Sequence, residues 1–154
     1  MIQHGFIVLP PGHGKSMLHS PIDGIIEADT IVPCKSTDTL VALRAEARAT
    51  GNWKAYDAEW VRLIKLKLPN YPCVILVPTF AVGNAGDWSD LGGAVLEMNQ
   101  WIANLANRGE EPGWYIAAYN DTLMYCDTVP FSTNEELHEW VLKQVSRFGE
   151  YVGP

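Results

Sequence analysis

The stretch Pro10-Pro11-Gly12-His13-Gly14-Lys15-Ser16 follows directly on the apolar run Phe6-Ile7-Val8-Leu9. It matches the phosphate-loop pattern G-x-x-x-x-G-K-[ST] at every position but the first, where Leu9 stands in place of glycine. A glycine loop between a strand and a helix start can aim consecutive backbone N–H groups at one phosphate, and the helix end adds partial positive charge. Gly12, His13, Gly14, Lys15 and Ser16 are therefore the candidate phosphate-binding residues. Lys15 would reach the terminal phosphates of a nucleotide, and the Ser16 hydroxyl would be a magnesium ligand. Pro10 and Pro11 lack an N–H and only stiffen the approach. The His13 side chain could touch a phosphate, but a loop side chain at a variable position is the safer reading.

A second set of polar residues lies just downstream. Glu27 and Asp29 are two apart, which puts them on one face of a strand. Asp29 would stand at the carboxyl end, where open α/β sheets bind ligands. A carboxylate there can orient a magnesium shell or take a proton from an acceptor hydroxyl, so Asp29 joins Lys15 as a catalytic candidate and Ser16 as a metal candidate. Capping the next turn is the competing role. Arg44 and Arg48 are spaced i, i+4 and share a helix face, where a guanidinium pair would suit an acceptor phosphate. A solvated helix face accounts for them as well. His4, His19 and His138 have no carboxylate or cysteine at ligand spacing and read as satisfied or solvated histidines. Ser16 has no G-x-S-x-G elbow, which sets acyl transfer aside.

These residues need elements to hold them, and apolar runs alternating with helical patterns predict βαβ units around a mainly parallel sheet. Strands are expected at His4–Leu9, Gly24–Ala28, Cys73–Pro78 and Trp114–Tyr119, with a fifth at Met124–Pro130. A short helix over Lys15–His19 must stop before Pro21. Ser36, Thr37 or Asp38 caps a helix carrying Leu40, Leu43 and Ala47 that stops at Gly51, and Asn52 caps the next, with Trp53, Tyr56, Trp60 and Ile64 as its stripe. Gly83–Asp87 reads as a glycine-rich loop before a helix over Trp88–Ala106. The last helix opens on a capping box, Thr133 and Glu136, and aligns Leu137, Trp140, Val141, Val145 and Phe148. Trp53, Trp60, Trp101 and Trp140 recur at helical spacing and read as core.

Composition bounds the rest. The chain has 154 residues, enough for one core without disulfides, and is expected to form a single domain over residues 1–154. Eleven Lys plus Arg against eighteen Asp plus Glu give a formal charge of -7, which disfavours non-specific nucleic-acid binding. Cys34, Cys73 and Cys126 form no C-x-x-C pair and are expected as buried thiols in a reducing compartment. No apolar stretch approaches the ~20 residues that cross a bilayer, so a soluble cytoplasmic protein is expected.

Pro-Pro-Gly-x-Gly-Lys-Ser, the apolar strand ending in Ala28-Asp29, Leu43-Arg44, and Gly51-Asn52-Trp53 with Tyr56-Asp57 and Trp60 resemble the P-loop nucleoside and nucleotide kinases. The chain looks most like the compact kinase-like NTPase domains of double-stranded RNA viruses and some phages. This resemblance covers residues 5 to 80 and thins afterwards. It implies an α/β three-layer sandwich of the P-loop NTPase type, with four to five strands and the phosphate-loop strand central. It also implies ATP as donor, Lys15 and Ser16 at the phosphates and Mg2+, and Asp29 near the acceptor. The strand ending Val77-Pro78-Thr79 has no acidic residue where many P-loop ATPases hold magnesium indirectly, which weighs against a motor ATPase. The function expected is an ATP- and magnesium-dependent phosphotransferase acting on a nucleoside or nucleotide. One alternative is an NTPase hydrolysing ATP within a viral particle protein, as part of a larger parent or assembly. The other is a degenerate nucleotide-binding or structural module.

Overall fold

Strands covered on both faces must be apolar throughout, and Gly5–Val8 (β1) and Val74–Val77 (β3) are buried along their whole length. The computed structural model describes residues 2–152. In it β1 and β3 pair in parallel, with Phe6 beside Ile75 and Val8 beside Val77. Ile25–Glu27 (β2) pairs in parallel with β3, and Ser89–Gly93 (β4) pairs in parallel with the other side of β1. The order is therefore β2-β3-β1-β4, which leaves β1 internal.

Alternation along the strands splits the core into two layers. Phe6, Val8, Ile75 and Val77 face Ala28–Ile31 (α2), Asp38–Thr50 (α3), Lys54–Lys67 (α4) and Phe80–Ala85 (α5). On the opposite face, Ile7, Leu9, Val74 and Leu76 meet Lys15–Leu18 (α1), Met98–Asn107 (α6), Ile116–Tyr125 (α7) and Asn134–Val152 (α8). The chain is thus α/β, with helices on both faces of an all-parallel four-stranded sheet.

Several helices end where their sequence signals stand. Thr37 accepts the Leu40 N–H at 3.0 Å to open α3, and Gly51 closes it at φ 76, a left-handed conformation suited to glycine. Thr133 accepts the Glu136 N–H at 3.2 Å at the start of α8. Tyr56, Trp60, Val61 and Ile64 form the buried stripe of α4, and the Trp60 indole donates to Val32 O at 2.8 Å. Trp53, in contrast, is 38% exposed, because it precedes the first turn of α4 rather than lying on its stripe.

The structure departs from expectation in four places, three of them in the second half. The predicted helix over Trp88–Ala106 begins only at Met98, and its front is β4, where the register shifts between Phe6 and Val8 beside Gly92 at φ 98. The Gly92-Gly93 pair weakens a helix, and Gly92 fits the bulge. Trp114–Tyr119, expected as a strand, is a 3-10 turn over Pro112–Trp114 followed by α7. A short apolar run fits either state, and here burial follows helical spacing, with Tyr119 and Thr122 inside. The expected strand Met124–Pro130 is absent; the chain there ends α7 and forms an isolated bridge only at Leu96 and Phe131. Finally, β2 ends at Glu27, so Asp29 lies in α2 and not on the strand.

The Gly83–Asp87 stretch also differs, since α5 runs through Ala85. Glycine serves closeness here: a Cβ on Gly83 would stand 2.3 Å from the Phe6 ring of β1. Gly83→Ala is accordingly expected to destabilise the protein by about 1–3 kcal/mol through overpacking, although alanine favours a helix by about 1 kcal/mol. Chemical denaturation checks this, and a stabilised variant would contradict the packing.

Candidate functional site

The segment after β1 leaves the carboxyl edge of the sheet as an extension of the strand. Leu9 donates its N–H to Val77 O at 3.0 Å, and its side chain is fully buried. The left-handed turns come later, at Gly12 (φ 86) and Gly14 (φ 72), so the position occupied by Leu9 does not require glycine in this chain. Neither turn has room for a side chain. A Cβ on Gly12 would lie 2.8 Å from Leu105, and one on Gly14 would lie 2.7 Å from His138 Nε2.

Helix α6 fixes this loop from behind. The Trp101 indole donates to Pro11 O at 2.8 Å, and Asn104 Nδ2 donates to Gly12 O at 2.9 Å while also reaching Asn134 Oδ1 of α8. His13 points inward, fully buried beside the stacked rings of Trp101 and Tyr119. Its Nδ1 donates to Pro10 O at 2.9 Å and its Nε2 accepts the Leu96 N–H at 3.0 Å, which fixes the neutral, Nδ1-protonated tautomer. The expectation that the His13 side chain touches a phosphate is thereby corrected: both ring nitrogens are spent on the protein, and only its backbone N–H remains for a ligand.

Burial, reinforced by the Lys15 cation, lowers the His13 pKa to about 3. An unfolded histidine titrates near ~6.5, so this group's contribution to stability is present above that pH and is lost as pH falls toward 3. Imidazole 15N–1H NMR is expected to show the Nδ1-protonated ring from pH 8 down to about pH 4. Titration near pH 6.5 would contradict the buried placement.

The loop interior presents backbone donors. The N–H groups of Gly12, His13, Gly14, Lys15 and Ser16 find no acceptor among the described residues, whereas Met17 N already bonds Gly14 O. Lys15 folds back so that Nζ donates to Leu9 O at 2.6 Å. Its stem keeps the residue half-buried, but the ammonium is withdrawn from water, and this desolvation lowers its pKa to about 8. Glu27 opposes the shift, Arg108 adds to it, and Asp29 and Glu110 oppose it. These four charges therefore lie within electrostatic range of the Lys15 ammonium.

The carboxylates divide their work. Glu27, 5% exposed at the end of β2, caps α2 by accepting the Asp29 N–H at 2.7 Å and the Thr30 hydroxyl at 2.9 Å. Asp29 is exposed and accepts the Cys34 N–H at 2.8 Å through Oδ1. The Cys34 thiol also interacts with this carboxylate, and the exposed Ser16 hydroxyl has no hydrogen-bond partner among the described residues. The Asp29 carboxylate and the Ser16 hydroxyl are oxygen donors that could take part in holding a divalent cation. Among the described residues no three His, Cys, Asp or Glu side chains converge, so such an ion would complete its shell with phosphate and water.

The two arginines of α3 part company. Arg44 is half-buried; burial raises the pKa of Cys34, Tyr56 and Tyr115, and the Arg44 charge opposes that rise at each, so it lies within electrostatic range of all three. Arg48 is exposed and has no ion-pair partner among the described residues. Sequence reasoning missed Arg108. It caps the end of α6 one turn beyond Asn104, with Nε 2.6 Å from Glu110 Oε1, while the Tyr115 hydroxyl donates to Glu110 Oε2. The readable signal was the polar pair Asn104 and Arg108 at i, i+4 on a helix that otherwise buries Trp101 and Leu105.

A cleft of about 630 Å3 opens at the amino edge of the sheet, lined in part by His4, Lys65, Asp87 and Trp88. It includes none of the loop residues. The carboxyl edge is the stronger site because there the loop N–H groups and the buried charges converge. Of the thiols, Cys73 is buried beside His4 and pushed up to about 12 by desolvation, while Cys34 and Cys126 are half-buried; all three are free.

Comparison with family models, with curated proteins and with solved structures finds no match to this chain. Among the described residues no helix is long and apolar enough to cross a membrane.

Proposed function

We propose that this chain is a small P-loop kinase-like domain that binds Mg-ATP and transfers the γ-phosphoryl group to a nucleoside or nucleotide. One observation carries the reading: an internal parallel strand runs into a glycine-turned loop whose N–H groups lack acceptors and across which Lys15 is folded. An anion entering the loop would offer oxygens to those N–H groups and to the lysine, replacing the single carbonyl of Leu9.

The chemistry asked of the chain is mainly positioning and charge neutralisation. The acceptor hydroxyl oxygen forms a bond to the γ-phosphorus as the bond to the bridging oxygen of ADP breaks. Asp29, exposed and held by the Cys34 N–H, takes the hydroxyl proton or passes it to water. Magnesium, when bound, neutralises phosphate charge, and Ser16 and Asp29 are the residues that would hold it. Arg44 supplies the cation beside the acceptor; exposed Arg48 is the outer member of that pair. In this reading the protein works in a reducing compartment such as the cytoplasm, where free cysteines persist.

The test is ADP formation from Mg-ATP with and without a panel of nucleosides and nucleotides. Acceptor-dependent ADP supports the phosphotransferase. Equal ADP in water alone would replace it with an NTPase, as in a viral particle protein. Binding without turnover would leave a nucleotide-binding module.

A further inference from the structure

Helix α8 presents two polar side chains to the loop from one face, four residues apart. Asn134 is fully used there: its Oδ1 accepts from Asn104 Nδ2, which in turn holds Gly12 O. His138 is different. Its Nε2 is buried against Gly14, at the spot a Cβ on that glycine would reach within 2.7 Å, and it finds no hydrogen-bond partner among the described residues. Leu137 and Val141, both fully buried, pin the helix so that the imidazole is held at this place. A buried polar atom without a partner costs free energy, and here it lies beside a loop whose own N–H groups also lack acceptors. With its proton on Nε2, His138 and the loop N–H groups would share one acceptor in an anion.

We propose that His138 is a nucleotide-phosphate contact, its Nε2–H donating to a phosphate oxygen lying along Gly14 and Lys15. This rests on the P-loop reading above and adds a residue from the last helix to that site. It also gives α8 a ligand-binding role in addition to its packing role.

Calorimetric titration with Mg-ADP tests it in the wild type, His138→Ala and His138→Gln, alongside imidazole 15N–1H spectra of the wild type. Loss of one hydrogen bond to a charged group predicts affinity for Mg-ADP about tenfold to a hundredfold weaker in His138→Ala. His138→Gln, whose amide can replace the Nε2 donor, is expected within a few-fold of wild type. In the wild type, the His138 Nε2 resonance should move on saturation with nucleotide, a readout that a purely structural role for the ring would leave unchanged. Wild-type affinity in His138→Ala, or an unmoved Nε2 resonance at saturation, overturns this proposal while the phosphate loop stands. Absence of Mg-ADP binding to the wild type overturns both.

Discussion

Lys15→Met is expected to abolish the rise in melting temperature that Mg-ATP produces and, in the same molecule, to raise the melting temperature of the ligand-free protein. The two effects have one cause. Desolvation holds the Lys15 pKa at about 8, below its ordinary 10.5, so the fold pays to keep this group charged at neutral pH. For a base lowered in this way, stability is fully present above the unfolded value and is lost as pH falls through 8. Methionine keeps the stem and removes the charge, which should add about 1–3 kcal/mol to the free protein at pH 7, after allowance for partial solvation. With wild type, ligand at a hundredfold excess over Kd adds about 2.7 kcal/mol by mass action, or roughly 5–10 °C at this size. Differential scanning calorimetry of both proteins with and without Mg-ATP reads both effects. Equal nucleotide shifts would remove Lys15 from the site.

The second large effect concerns turnover. Asp29→Asn retains an oxygen to accept the Cys34 N–H, so the α2 turn should persist. The carboxylate charge is lost, and with it the group that takes the acceptor's proton. Turnover is expected to fall by ~100-fold or more, the scale of a positioned general base, and by more than Mg-ATP affinity does. Steady-state kinetics together with nucleotide titration separate the two quantities. A folded variant with wild-type turnover would leave Asp29 as a turn residue alone.

The first half of this fold is legible because its signals are local. Phe6–Leu9 and Cys73–Val77 are buried apolar runs, Thr37 and Gly51 bracket α3, and the stripe of α4 has helical spacing. The second half depends on neighbours. Ser89–Gly93 contains neither β-branched nor aromatic residues, and it becomes a strand because the open side of β1 is there to pair with. Trp114–Tyr119 has a strand's composition but its burial follows a helix, a distinction that only packing makes.

The same division runs through the site. Gly12, Gly14 and Lys15 stand out in the sequence because backbone conformation and charge are properties of the loop itself. The inward turn of His13 depends on Leu96 and Pro10, 83 and 3 residues away. The placement of Arg108 and His138 likewise depends on where α6 and α8 dock, and no short-range pattern encodes that. Glu27 took the capping role because β2 ended early enough for its carboxylate to meet the first N–H groups of α2.

The claim at the centre of this account is that the loop from Gly12 to Ser16 holds nucleotide phosphates with Lys15. Isothermal titration of the full chain with Mg-ATP at pH 7 tests it most directly, run in parallel with Lys15→Met. Saturable binding at one site per chain is expected in the wild type, with loss of that binding in the variant. Absence of saturable binding to the wild type, or equal binding by both proteins, would contradict it.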